Sequence, residues 1–506
     1  MQEMGARDIL PGLQFAGEEE MRLLKRKLVS AAVGLCLFEP IVLAQSPVAA
    51  VSQAERDMRA GQYPRAEAEL LNALKRDPQD GSLWFLLGVT RAQLKKTDPA
   101  IEAFEKALRL APDKAPVYFD LGLLYMEKND VSNAEEAYGR GLTLDPSNVP
   151  ANQNYALLLM QRGEYREASI PLERLKKITP NDVSVRATLI EAYLKSGLKD
   201  KGENEIDELL SAHVVILPQG LALAKLLHDN QETDAAQRVL ESLKSSWPNS
   251  AEAHGELGLI LTEKEKFRDA AMELWRAVQL DPDSEKYSLG YGEALMSSEQ
   301  YPVALPFLLG AQKRFVNQPN FPYQLAITDI CLQRFSDAIS VLDSLARERP
   351  DSGKVQFLLG GAYELSGELQ TAEDHYRSAI RLVPQEPKYY RVLASLLQKQ
   401  GPEELAESIQ LLRKALALDP TDAESKIVLA RCLEKQGELD EAASLLEQAV
   451  VNEPASRRAH SALAEVYRRQ QKLAQAEQQQ SIAAKLEEEK ITKEWDIWGP
   501  KSAGGP

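Results

Sequence analysis

The side chains that could make or break a bond, or hold a metal, are thinly spread along this 506-residue chain. Its five histidines, His213, His228, His254, His375 and His460, are scattered, whereas a metal centre gathers its ligands at short, defined spacings. Three cysteines, Cys36, Cys331 and Cys432, cannot build a disulfide framework. Carboxylates are plentiful, with 76 Asp and Glu against 60 Lys and Arg, but they spread over solvated faces. No phosphate-cradling GxxxxGK[ST] loop, no GxSxG nucleophile elbow and no HExxH motif occurs. A net charge of −16 is also the wrong sign for phosphate contacts, so nucleic acid is not an expected partner. The chain is expected to be no enzyme and to need no cofactor or metal. Its function is then expected to lie in a surface that binds another molecule.

The elements that would build such a surface follow from length and periodicity. A single core stops growing near roughly 250–300 residues, so a chain of 506 is multidomain or an extended repeat. With 44% hydrophobic and 27% charged residues it reads as folded and soluble. Prolines recur every 34 residues at Pro78, Pro112, Pro146 and Pro180, and the series resumes at Pro248, Pro282, Pro350, Pro384, Pro420 and Pro454. Twelve residues before each stands a small residue, from Ala66, Ala100 and Ala134 to Ser408 and Ala442. Within each period, apolar residues recur twice at helical spacing, as in Leu83, Leu87, Val89 and then Ile101, Phe104, Leu108. A short polar break separates the two runs, so each period is a helix hairpin.

The small slot is expected where the two helices cross closely, with Gly88 facing Ala100, since a larger side chain there overpacks by about 1–3 kcal/mol. The proline ends the second helix. Two residues later come residues suited to cap the next helix: Asp80, Asn148, Asp182, Ser250, Ser284, Ser352, Asp422 and Ser456. Gly290-Tyr291-Gly292, His254 and His460 fall on packing slots, and Cys331 and Cys432, three repeats apart, read as small core or near-core residues. Each hairpin buries one face alone and the other against its neighbour, which makes the array quasi-one-dimensional.

The pattern Trp84-x2-Leu87-Gly88, Ala100-x3-Phe104-x2-Ala107 and Pro112, repeated as Tyr118, Leu121-Gly122, Tyr125, Ala134, Tyr138 and Pro146, resembles the tetratricopeptide repeat. The resemblance covers residues 47–490 as 13 repeats of 34 residues, one with a two-residue insertion near Gly401-Pro402. It implies an all-α, right-handed superhelical solenoid whose concave wall is lined by the first helix of each repeat. The register weakens in repeat five, with Gly202 and Val214 in the small and proline slots, and in repeat eight, with Val316 for proline.

The ligand-facing slots that the resemblance implies are the fifth, ninth and twelfth positions of each first helix. In repeats two to four these give an apolar strip containing Phe85, Val89, Phe119, Leu123, Met126, Leu157 and Met160. The strip reads either as groove or as core between repeats. At the far end Arg391, Arg431, Arg458 and Arg468 make a basic stretch, read either as groove or as an ordinary charged face. The paired Lys and Asn pattern of the family's chaperone-tail clamp is missing there, and so is the asparagine ladder of its sugar-transferase relatives. Trp495 and Trp498, in the tail 491–506, read as a lid on the last repeat or as a docking peptide.

The amino terminus carries its own signal. Arg22, Lys25, Arg26 and Lys27 form a cationic segment, Leu28 to Phe38 is an apolar run, and Val42-Leu43-Ala44 fits a cleavage site. Residues 21–44 read as a signal peptide and 1–20 as a non-native upstream extension, with Met21 the start. An uncleaved amino-terminal membrane anchor is the alternative; a lipoprotein site at Cys36 would want a small residue where Leu35 stands. After cleavage no membrane span is expected. The chain is therefore expected to be an exported, periplasmic or cell-envelope scaffold that recognises a protein or peptide segment in its groove. The alternative is a periplasmic assembly factor or spacer for an envelope polysaccharide or secretion machine.

Overall fold

The computed structural model describes residues 49–498, and among them the regular elements are 26 α-helices and one 3-10 turn, with no strand. The expected extension 1–20, the signal segment 21–44 and the residues after Trp498 lie outside the described residues. The chain divides into two compact parts, Met1–Pro282 and Asp283–Pro506. The first holds seven hairpins and the second six among the described residues.

Repeat two shows how the sequence sets each hairpin. Its first helix, Gly81–Gln93, starts where the Asp80 carboxylate accepts the backbone N–H groups of Ser82 and Leu83. All eight Ser, Asp and Asn residues read as caps accept such a bond, each worth about 1 kcal/mol. The second helix, Thr97–Leu110, buries Ala100, Ile101, Phe104 and Ala107 on one face. Between the helices Lys95 takes a left-handed conformation, φ 58°. The equivalent residue is left-handed in almost every repeat, often without glycine, as at Asn129, Gln231, Glu265, Glu299, Gln333 and Gln471.

The small slot is filled as expected: Ala100, Ala134, Ala168, Ala236 and Ala270 are fully buried. Gly88, however, faces the ring of Phe104 rather than Ala100. A Cβ there would stand 2.5 Å from that ring, and the same relation joins Gly122 to Tyr138, Gly258 to Leu274 and Gly360 to Tyr376. Glycine at the eighth position is thus the complement of a large side chain on the facing helix.

Polar bonds stitch the repeats together. The side chains of Trp84, Asn152, His254, Tyr390 and His460, all at the fourth position, bond the carbonyl of the proline closing the preceding repeat, at 2.9 to 3.1 Å. A carbonyl only accepts, so Nε2 of each histidine carries the proton. The fourth position also pairs with the second helix: His254 Nδ1 lies 2.6 Å from Glu273, His460 Nδ1 2.6 Å from Gln479, and Arg186 is bonded to Glu205. The Tyr125, Tyr193 and Tyr467 hydroxyls donate to Glu105, Glu173 and Glu447 of the preceding second helix at 3.1, 2.7 and 2.7 Å. Burial and the Glu105 bond push the Tyr125 hydroxyl up to about 12. His254 and His460 are therefore buried as expected, but serve as polar rivets as well as packing.

Cys432 is buried, with its sulfur 2.7 Å from the Gln398 amide nitrogen. Cys331 is exposed, not near-core; it is the last residue of the helix Asn320–Cys331. The insertion in repeat eleven forms a 3-10 turn, Pro402–Glu404, ahead of the second helix Leu405–Leu418. The last helix runs from Leu473 to Trp498, so the backbone at Trp495 and Trp498 continues it instead of starting a separate tail at 491. The side chains of these two tryptophans lie outside the described residues.

Candidate partner-binding surface

The seven residues of the apolar strip, Phe85, Val89, Phe119, Leu123, Met126, Leu157 and Met160, are all half-buried. Their inner edges belong to the core. The Phe85 ring lies 5.9 Å from that of Phe104, and the Phe119 ring covers Gly141, where an added Cβ would come within 2.5 Å of it. Phe85 and Val89 pack against a cluster that reaches Val117, Leu121 and Leu124 of repeat three. Phe119 and Met126 pack against one that reaches Ala151 and Leu158 of repeat four. The strip is consequently continuous across three repeats, and its members that pack against these clusters contribute to the core between repeats. Phe85, Val89, Phe119, Met126 and Met160 are packed against core clusters, and all seven side chains remain partly accessible.

The basic stretch is less available than the sequence suggests. Arg391 lies 3.3 Å from the Asp422 carboxylate, which also caps the next first helix. Arg458 bonds Glu424 at 2.8 Å, and neighbouring Lys399 and Arg469 pair with Glu364 and Glu434 at 2.7 and 3.0 Å. Arg468 donates to the Gln480 amide oxygen at 2.8 Å. Arg431 is exposed and has no ion pair among the described residues.

Two groups of functional character were not singled out from the sequence. Asp120, at the sixth position of the helix Ala115–Glu127, is half-buried beside the apolar strip, and burial pushes its carboxyl up to about 7. The sixth position is apolar in Leu86, Leu358, Val428 and Ala462 and holds a carboxylate only in Asp120 and Glu256, so a charge in this slot was the available signal. In repeats nine to eleven, Lys354 sits with its ammonium 5.0 Å from the Tyr323 ring centroid, and burial lowers its pKa. Beside it Phe357 stacks on Tyr389 with centroids 4.7 Å apart. Among the described residues, no three His, Cys, Asp or Glu side chains gather to hold a metal, and no helix is long and apolar enough to cross a membrane.

Family models of the tetratricopeptide repeat match residues 51–115, 221–285 and 323–387, residues 125–185 and 401–466, and residues 457–479. A BBSome complex member, the BBS4 homolog of Drosophila melanogaster, is 25% identical over 177 residues, covering 35% of this chain and 36% of that protein. The chain thus spans about a third of the length of the curated relative it matches. Among solved structures, the APC/C hetero-tetramer Cut9–Hcn1 is 15% identical, with 92% of each chain covered and a TM-score of 0.39. Yeast Tom70 is 17% identical, covering 88% of this chain and 96% of its own, also at 0.39. Naa15/Naa10 bound to HypK-THB is 16% identical at 86% and 67% coverage, with a TM-score of 0.41. With family matches distributed from residue 51 to residue 479 over a helix-hairpin array of 34-residue period, this chain belongs to the tetratricopeptide repeat family.

Proposed function

We propose that this protein is a non-enzymatic scaffold that binds a segment of another protein along the first helices of its repeats. The observation that carries this reading is the strip Phe85, Val89, Phe119, Leu123, Met126, Leu157 and Met160, whose outer surface no other part of the described chain is seen to cover. Apolar surface of this kind supplies binding energy at about 25 cal/mol per Å² buried. Arg431 and Arg468 add a smaller electrostatic contribution that speeds encounter with acidic residues of a partner. Export to the cell envelope is part of the proposal and rests on the cationic and apolar segments between Arg22 and Phe38; the membrane-anchored form uses the same segments uncleaved. A spacer role in an envelope assembly rests on the length of the 13-repeat array.

The test is capture of partners by the mature chain, with the captured protein then titrated against variants. Leu123→Glu with Leu157→Glu places charges on the strip without emptying the core, since both residues are only half-buried. Each lost apolar contact is worth about 1.5–3 kcal/mol, so affinity should fall at least about tenfold at every salt concentration. Arg431→Glu with Arg468→Glu should weaken binding chiefly at low salt, because exposed charges are screened within about 10 Å at 0.1 M. A partner that binds the double-glutamate strip variant as tightly as the parent overturns the groove assignment. N-terminal sequencing of envelope-fraction protein beginning after Ala44 supports export; a cytoplasmic chain starting at Met1 refutes it.

A further inference from the structure

The sixth position of a first helix faces the first helix before it. In repeat nine this slot holds Gln324, whose amide donates 3.0 Å to the Leu289 carbonyl of the preceding first helix. The side chains of Leu86, Asn154, Leu358, Val428 and Ala462 in the same slot are all buried. The slot also holds a carboxylate in repeat seven, Glu256, which has an interaction partner; Asp120 is the carboxylate of this seam that has none among the described residues.

That carboxylate has no hydrogen bond and no ion pair among the described residues. The cations on the three neighbouring first helices are committed elsewhere. Arg91 is held by Glu67 at 3.2 Å and by the Pro99 carbonyl at 3.0 Å. Arg162 is held by Glu135 and, at 2.7 Å, by Glu164. Just beyond its own helix, Lys128 bonds Asp98 at 2.5 Å. Phe119 stands next to Asp120 in the chain, and Leu123 lies one turn on along the same helix. A charge half-removed from water among apolar groups is costly unless a counter-charge meets it, and burial already raises this carboxyl to about 7.

We infer that Asp120 is a specificity-determining residue of the groove, taking the cationic head of one Lys or Arg that is flanked by apolar residues in the bound segment. The inference rests on the groove reading given above and adds the chemistry of the ligand to it. The apolar flanks lie on the strip, and the long aliphatic stem of the Lys or Arg crosses it to bring the charge to Asp120.

A library of random dodecapeptides displayed on phage, selected on the mature chain, tests this. Enriched peptides should share one basic residue at a fixed spacing from two apolar ones. Resynthesised with citrulline for arginine, or norleucine for lysine, such a peptide should bind at least about tenfold more weakly, the usual scale for one charge-assisted contact. Asp120→Asn, nearly the same size, should remove that penalty while leaving the neutral peptide's affinity unchanged. The inference is overturned if enriched peptides show no basic preference, if the neutral substitution costs nothing on the parent chain, or if its cost persists in Asp120→Asn. The substitution in the peptide reads the effect on the parent protein even if the variant is unstable. Failure of the underlying reading looks different: enriched peptides, basic or not, would then bind Leu123→Glu with Leu157→Glu as well as they bind the parent.

Discussion

Cutting Phe104 back to alanine lowers the stability of its region by about 3–5 kcal/mol, the range for emptying a buried aromatic site. Phe104 is fully buried, and its ring is the surface against which the Gly88 backbone rests. The facing residue, Gly88, has no side chain with which to fill the void. Phe104→Leu keeps much of the volume and should cost clearly less. Hydrogen exchange of the amides in Gly81–Gln93 and Thr97–Leu110 is the measurement, since a long array need not unfold as one step. Equal losses of protection for the leucine and alanine variants would refute the packing account.

Glu205→Ala should be comparably severe, at about 3–5 kcal/mol, the cost of breaking a buried pair from one side. Glu205 and Arg186 are 4% and 5% exposed, and Lys176 also bonds this carboxylate. Without it, Arg186 keeps only the backbone carbonyl of residue 205 at 3.4 Å and a 3.6 Å approach to the exposed Glu208. Replacing both partners, Arg186→Met with Glu205→Leu, removes the stranded charge and should recover most of the loss. Exchange in Val183–Lys195 and Lys199–Ser211 reads both variants. A double variant no more stable than the single one means that the pair contributes more than it costs to bury.

The array was legible in the sequence because its determinants are local. A proline, a cap two residues later and an alanine twelve residues earlier recur in register, and each acts within its own hairpin. All eight caps were readable for that reason. Bonds that depend on how one helix is rotated against another were not. His254 with Glu273, and Tyr125 with Glu105, lie 19 and 20 residues apart, and nothing in the one-dimensional pattern favours those partners over their neighbours. The same limit made the carboxy-terminal arginines look like a free basic surface. Asp422 and Glu424, which occupy Arg391 and Arg458, are helix-start residues whose reach to the adjacent first helix appears only in three dimensions. Asp120 is not legible as a site in the sequence because it occupies the sixth position, outside the fifth, ninth and twelfth slots that the resemblance implies face a ligand.

The stitches between consecutive repeats also decide how this protein would answer a pull. Tyr125 to Glu105, Tyr193 to Glu173 and Tyr467 to Glu447 each join one repeat to the next, and bonds such as Lys399 to Glu364 span 35 residues of chain. Tension applied between distant repeats therefore crosses these joints in series. The joint that gives way first frees one 34-residue hairpin, roughly 110–120 Å of extended chain at about 3.3–3.6 Å per residue. Its neighbours keep their own caps but lose the face they shared with it, so the slack relaxes the load while the break stays confined to adjoining repeats. Under such a load the array is expected to lengthen by stages of one repeat, which stretching of single molecules would read as steps of that length.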